Sequence, residues 1–302
     1  MNELFAADPR VCESERDLQL LLSKFGPFTG RYLSHYPINW TDQVEKQFEH
    51  LKPVEIARIK SLLQAAKKSL ALIPSHGLSW RDERDWLENA ASLLSRTTTM
   101  SAGFNGLITT HAKPPLIDSL DSLDLPPTSE EKIIGKADEY ARVAERLLLL
   151  SPEIAFIDPY LKPFNRSCEN VLKALFNIAA KGKSEKIIIW ARASEVIGTK
   201  NQTIFENDLK KKLNDLTKNV SFKPKRKIEI ILVDDEKQQD KMHARHILSI
   251  HGGIRLDHGF QELSGRHVEV GPVGGATHNS LYKTYFEGDH DMRIRLRFEQ
   301  PC

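Results

Sequence analysis

Cysteine is scarce in this chain, and its scarcity limits the chemistry first. Three occur, Cys12, Cys168 and Cys302, odd in number and far apart. None of the close spacings that build disulfide frameworks or zinc sites is present, so a reducing compartment is expected. Long apolar runs are also missing. No stretch reaches the length needed to cross a bilayer, and the first residues, with Glu3 and Asp8 among short apolar stretches, lack the regions of a signal peptide. These absences predict a soluble, cytoplasmic protein with no membrane partner. Net charge is nearly absent too. The 43 basic and 41 acidic residues leave +2, too little to attract phosphate at long range, so any basic face must be local. There is no internal repeat.

What is present suffices for a sizeable core. At 302 residues the chain exceeds the usual single domain, and 40% hydrophobic with 28% charged residues is an ordinary globular balance rather than a disordered one. From Glu13 to about Leu94 apolar residues recur at three- and four-residue spacing, as in Leu18, Leu21, Leu22, Phe25 and in Ile56, Ile59, Leu62, Leu63. That period predicts helices, broken at Gly26-Pro27 and Pro74, with Ser79 capping a helix near Trp80. Thr97 to Thr128 is rich in Thr, Ser and Pro and reads as a connection. The expected organisation is a mainly α-helical interaction domain with its connection over residues 1–128, followed by an α/β domain over residues 129–302. The interaction domain would engage a protein partner; its Trp40, Trp80 and Trp86 read as core or interface anchors. The α/β domain opens with a helix beginning at Ser129-Glu130-Glu131.

After Ser151 strand-like runs alternate with helical stretches: 154–157, 187–190 and 228–233 are apolar, with helices between them. This order predicts parallel strands with crossover helices. Met242 to Ile250 and Ile254 to Phe260 then form a strand pair joined through His251-Gly252-Gly253, where Gly-Gly suits a tight turn. The chain closes on Arg293, Arg295 and Arg297, alternating along one strand and therefore sharing a face.

Met242-His243-Ala244-Arg245, followed by the glycine turn and by Leu256-Asp257-His258-Gly259-Phe260, resembles the active-site hairpin of the phospholipase D superfamily, in which His-x-Lys lies on one strand and Gly-Ser ends the next. The resemblance covers roughly the last 150 residues. It implies that His243 occupies the nucleophile position, Arg245 the phosphate-binding cation and Gly259 the glycine of the pair. Two residues apart on a strand, His243 and Arg245 would face one phosphate together. In that family the histidine attacks phosphorus, a second histidine protonates the leaving group, and cations stabilise the charge without metal. The chain departs from the pattern at Arg245 for lysine, Ile250 for aspartate, Phe260 for serine and Glu262 for asparagine. One motif copy is present, so catalysis would require a homodimer. Non-catalytic relatives carry His-x-Arg on the strand and bind anionic surfaces. The resemblance thus implies a phosphodiester-binding component, with nucleic acid as partner, in a prokaryotic defence or DNA-processing setting; the alternative is a metal-independent homodimeric nuclease. Neither needs a cofactor.

Other residues bear on the same reading. Lys210, Lys211, Lys212, Lys225, Arg226 and Lys227 concentrate positive charge that could follow a phosphate backbone, or simply solvate a helix face and a loop. Asp158, ending the first strand of the α/β domain, could orient His243 or form a turn with Pro159. His278 or Asn279 could reach the site from a glycine-containing loop. The histidines lack carboxylate or thiol partners at ligand spacing, so no metal is expected.

Overall fold

A computed structural model of the chain describes residues 3–75, 78–94, 104–109, 130–162, 165–197, 202–218, 220, 222, 226–234 and 242–301, with the side chains of 202–204 excepted. The chain divides into two compact units, Met1–Thr128 and Ser129–Cys302.

The first unit holds a four-stranded sheet of β1 (Glu3–Ala7), β2 (Arg31–His35), β3 (Leu72–Pro74) and β4 (Gly106–Ile108). The order is β3-β2-β1-β4 and every pairing is parallel. Helices α1 (Glu15–Ser23), α2 (Trp40–Gln47), α3 (Pro53–Lys68) and α4 (Trp86–Ala91) connect or flank the strands. The unit is therefore α/β, which corrects the expectation of a mainly helical domain. The helical period is real: Leu18, Leu21, Leu22, Val44, Ile59 and Leu63 pack into one core with Phe5, Leu33 and Leu72. The strands are three to five residues long and almost wholly buried, so they carry no alternation that would mark them beside long periodic helices. Helix α4 starts at Trp86 rather than near Trp80, because Asp85 accepts a hydrogen bond from the Glu88 amide at 2.7 Å. Trp40 and Trp86 are core anchors whose indole N–H groups donate to the Ala7 and Tyr36 carbonyls.

The second unit is built on an eight-stranded sheet of β5 (Glu131–Ile134), β6 (Glu153–Ile157), β7 (Lys186–Arg192), β8 (Lys227–Asp234), β9 (Arg245–Ser249), β10 (Gly252–Leu256), β11 (His267–Pro272) and β12 (Arg293–Pro301). Its order is β12-β8-β7-β6-β9-β10-β11-β5. Strands β6, β7 and β8 are parallel, joined by α6 (Arg166–Lys181) and by α7 (Ala193–Ile197) with α8 (Gln202–Thr217). All other pairings are antiparallel. Helix α5 (Ala137–Leu150) packs beside α6, and the Phe156 ring meets Phe176 of α6 on that face. On the other face α9 (Gly275–Tyr282) and a wider helical turn over Lys283–Glu287 cover Ala155, Trp190, Val233 and Leu248 through Tyr285, Leu281 and Phe286. Among the described residues no helix is long and apolar enough to cross a membrane.

Three local expectations differ from the structure. Glu131 begins a strand, and the helix follows at Ala137. In the β9–β10 hairpin Ser249 pairs with Gly252, so Ile250 and His251 form the turn and both glycines belong to β10. Gly253 is needed for space, since a Cβ there would overlap the Leu248 side chain. Finally, the register of β12 against β8 shifts between Ile294 and Leu296. Arg293 then opposes Asp234 and Arg297 opposes Ile231, which places these two arginines on opposite faces.

His246, 4% exposed, lies opposite Arg255 in the hairpin. Burial, then the Arg255 charge, lowers its pKa from 6.5 to about 4. A depressed folded-state value means that the neutral ring contributes stability above pH 6.5 that is lost as pH falls through 4. Urea unfolding followed between pH 7 and pH 4 should show a loss on the order of 3 kcal/mol from this group, and His246→Leu should flatten that part of the profile.

Candidate anion-binding site

The register of the sheet builds a site where its parallel and antiparallel halves meet. Ile157 pairs with His246 across β6 and β9, which sets Asp158, just past β6, against Arg245 at the start of β9. Asp158 is 2% exposed, and its two oxygens accept from the Tyr160 amide at 2.9 Å and the Phe260 amide at 3.1 Å. Burial raises its pKa above the ordinary carboxylate range, against the lowering pull of those amides and of Arg245.

Arg245 Nε stands 3.7 Å from Asp158 Oδ1, an ion pair too long for a hydrogen bond. Its Nη1 donates to the Asp257 carbonyl at 3.0 Å, and its guanidinium carbon lies 5.1 Å from the Tyr160 ring centroid. The buried Nε has no hydrogen-bond partner among the described residues. Arg192, ending β7, sets its guanidinium carbon 5.4 Å from the same ring and donates to the Met242 carbonyl at 2.9 Å. Asp158, Tyr160, Lys162, Cys168, Arg245, His258 and the Gly259–Gln261 loop surround a cavity of about 170 Å³, suited to a small group rather than a large ligand. Burial pushes the Cys168 thiol up to about 12, so it is no nucleophile.

Gly259 is fixed by this site. A Cβ there would stand 3.0 Å from Asp158 Cγ and closer still to Oδ2. The Tyr140 hydroxyl donates to the Gly259 and Gln261 carbonyls at 3.2 and 3.1 Å, holding the loop in place. Phe260 turns inward and meets Phe156 edge to face at 5.6 Å. Glu262 does not approach the cavity's cation; it accepts from the Ala137 amide and from Asn170 Nδ2.

The other sequence-derived candidates separate. His243 is exposed and precedes β9 instead of lying on it, because Met242 folds into the core. Asp158 serves Arg245, not His243. His278 is buried in α9, its Nε2 2.7 Å from the Ser249 carbonyl oxygen, and α9 covers the face opposite Asp158 and Arg245; Asn279 is exposed on the same helix. Neither joins the site. Arg226 is 5% exposed and donates to the Ala179 and Gly182 carbonyls at 2.8 and 2.6 Å, closing the C-terminus of α6. It is structural. Lys212 pairs with Glu169, and Lys227 with Glu299 at 2.8 Å. Lys210 and Lys211 are exposed on α8, and Lys225 lies outside the described residues. Tyr160, Tyr140 and Arg192 were missed by sequence reasoning. Only Tyr160 had a signal, following Asp158-Pro159 at a strand end where open α/β sheets place ligands.

No family model and no curated protein matches the chain. Among solved structures, one similar chain is TrmBL2, an archaeal chromatin protein showing a novel mode of DNA binding. Identity is 14%, with 84% of this chain and 68% of that chain covered and a TM-score of 0.26, too loose a likeness to carry any argument.

Two substitutions separate site from scaffold. Gly259→Ala should cost about 1–3 kcal/mol in urea unfolding by forcing Asp158 aside. Arg226→Ala should cost about 2–3 kcal/mol in the same measurement by uncapping α6.

Proposed function

We propose that the second unit is a phospholipase D-like module that binds phosphodiesters, nucleic acid foremost, through Arg245. The observation that carries this reading is the state of its guanidinium. It is fixed by Asp158, the Asp257 carbonyl and the Tyr160 ring, yet retains a buried N–H with no hydrogen-bond partner among the described residues. A positioned arginine with remaining donors suits a phosphate oxygen, which accepts charge-assisted hydrogen bonds. Arg192 and the 45%-exposed Tyr160 ring lie beside it. Together they supply a second cation and an aromatic face on which a base could stack. Lys210 and Lys211 extend the positive charge along α8.

A nuclease is the second reading, favoured by the exposed His243 two residues before Arg245. Its imidazole would attack phosphorus, forming a P–N bond and expelling an alkoxide protonated by a second histidine; water would then hydrolyse the phosphohistidine. That second histidine would come from another copy of the chain.

Titration of labelled single- and double-stranded DNA and RNA across salt concentrations, in excess EDTA, tests both. Arg245→Ala should weaken binding to all sequences and lower the salt slope by about 1, with no cleavage by the unaltered protein. Cleavage in EDTA that His243→Ala abolishes would replace the binding reading with the nuclease. An unchanged slope in Arg245→Ala would remove the arginine from the interface.

A further inference from the structure

A second cavity lies in the first unit, far in sequence from Arg245. It measures about 650 Å³ and sits past the C-terminal ends of β2 and β3, lined by His35, Tyr36, Asn39, Gln43, Ser75 and Trp80, with Pro37, Ile38, Pro74, Leu78 and Asp82 completing it. In an open parallel sheet this edge is where ligands bind, and the volume is that of a small-molecule site. Ile38 is 86% exposed, so the cavity opens to solvent.

Its walls define what could enter. Among the described residues no lysine or arginine lines it, which disfavours a phosphate. One side is aromatic: Tyr36 meets Trp80 edge to face at 5.4 Å and is backed by Phe104 at 5.1 Å. The Tyr36 hydroxyl donates to the Ser79 carbonyl and the Trp80 indole N–H to Asp82, so both rings are held without a ligand. The polar groups are amides, an imidazole, the Ser75 hydroxyl and the Asp82 carboxylate, which accepts from the Trp80 indole. Gln43 donates to Asn39 Oδ1 at 3.0 Å, which leaves the Asn39 amide donors for another partner. His35 carries a buried Nε2 with no hydrogen-bond partner among the described residues, and a buried polar atom of this kind is costly until something pairs with it. Burial, then the Lys67 charge, lowers the ring's pKa to about 4, so it meets a ligand as a neutral donor or acceptor.

We propose that this cavity binds an uncharged planar nitrogen heterocycle of nucleoside size, stacked against Trp80 and hydrogen-bonded by His35 and Asn39. Stacking surfaces tolerate any base, whereas a neutral imidazole and a carboxamide read the donor and acceptor edge of one. The site is independent of the phosphodiester reading of the second unit.

Isothermal titration of the full chain with adenosine, guanosine, cytidine and uridine, and with their 5′-monophosphates, tests it. One nucleoside should bind, and its monophosphate no more tightly. His35→Ala and Trp80→Ala should each weaken it by about tenfold or more. Ser75→Trp, which fills the cavity from a partly exposed position, should abolish binding while the thermal transition is retained. Absence of heat with all four nucleosides, tighter binding of the monophosphates, or binding that survives Ser75→Trp would each overturn the proposal. Polynucleotide affinity at fixed salt should be the same in these variants and the unaltered protein.

Discussion

The second unit depends on a buried carboxylate at the junction of two kinds of strand pairing. Asp158 ends a parallel strand, faces the first residue of an antiparallel one, and accepts two backbone amides from separate loops. An anion so buried is expensive unless its oxygens are satisfied and a cation is near. Arg245 supplies the cation. The cost of that burial explains the rest of the arrangement. Residue 259 must be glycine to leave room for the carboxylate, the loop after β10 must return close enough for Phe260 to donate, and Tyr140 must hold that loop by its carbonyls.

The residues around this carboxylate have definite structural work. Phe260 places its side chain in the core against Phe156, leaving only its amide at the site. Glu262 is spent on the first turn of α5 and on Asn170, where a carboxylate near a helix N-terminus is favourable. Ile250 stands in the hairpin turn, half exposed. These residues serve packing and capping, and the polar chemistry is concentrated on Arg245 and the groups that hold it.

Both units place a cavity past the C-terminal ends of parallel strands, but the chemistry differs. One is small and holds a fixed cation beside a carboxylate; the other is larger and aromatic, with no lysine or arginine among the described residues that line it. The distinction follows from the residues after the strands, Asp158-Pro159-Tyr160 in one and Tyr36-Pro37-Ile38-Asn39 in the other, since the sheet edge itself offers only backbone.

Sequence alone determined most helices of both units and the alternating order of the parallel strands in the second, and it singled out Arg245, Gly259 and Asp158, which the fold brings together. Helical period and long apolar runs are local properties, and so is the spacing of a short motif. Tertiary structure decided the rest. The first unit's sheet was invisible because strands buried on both faces have no alternation. The pairing of Asp158 with Arg245 depends on strand register across some 90 residues of intervening chain. Whether a basic residue meets solvent was equally non-local: Lys210 and Arg226 look alike in sequence, yet one is exposed on a helix and the other is buried against the carbonyls of α6. The β12 bulge, one extra residue in a ladder, separated arginines that simple alternation would have placed together. Local pattern specifies what a segment can form; only the partner it packs against decides which of its side chains remain available for binding.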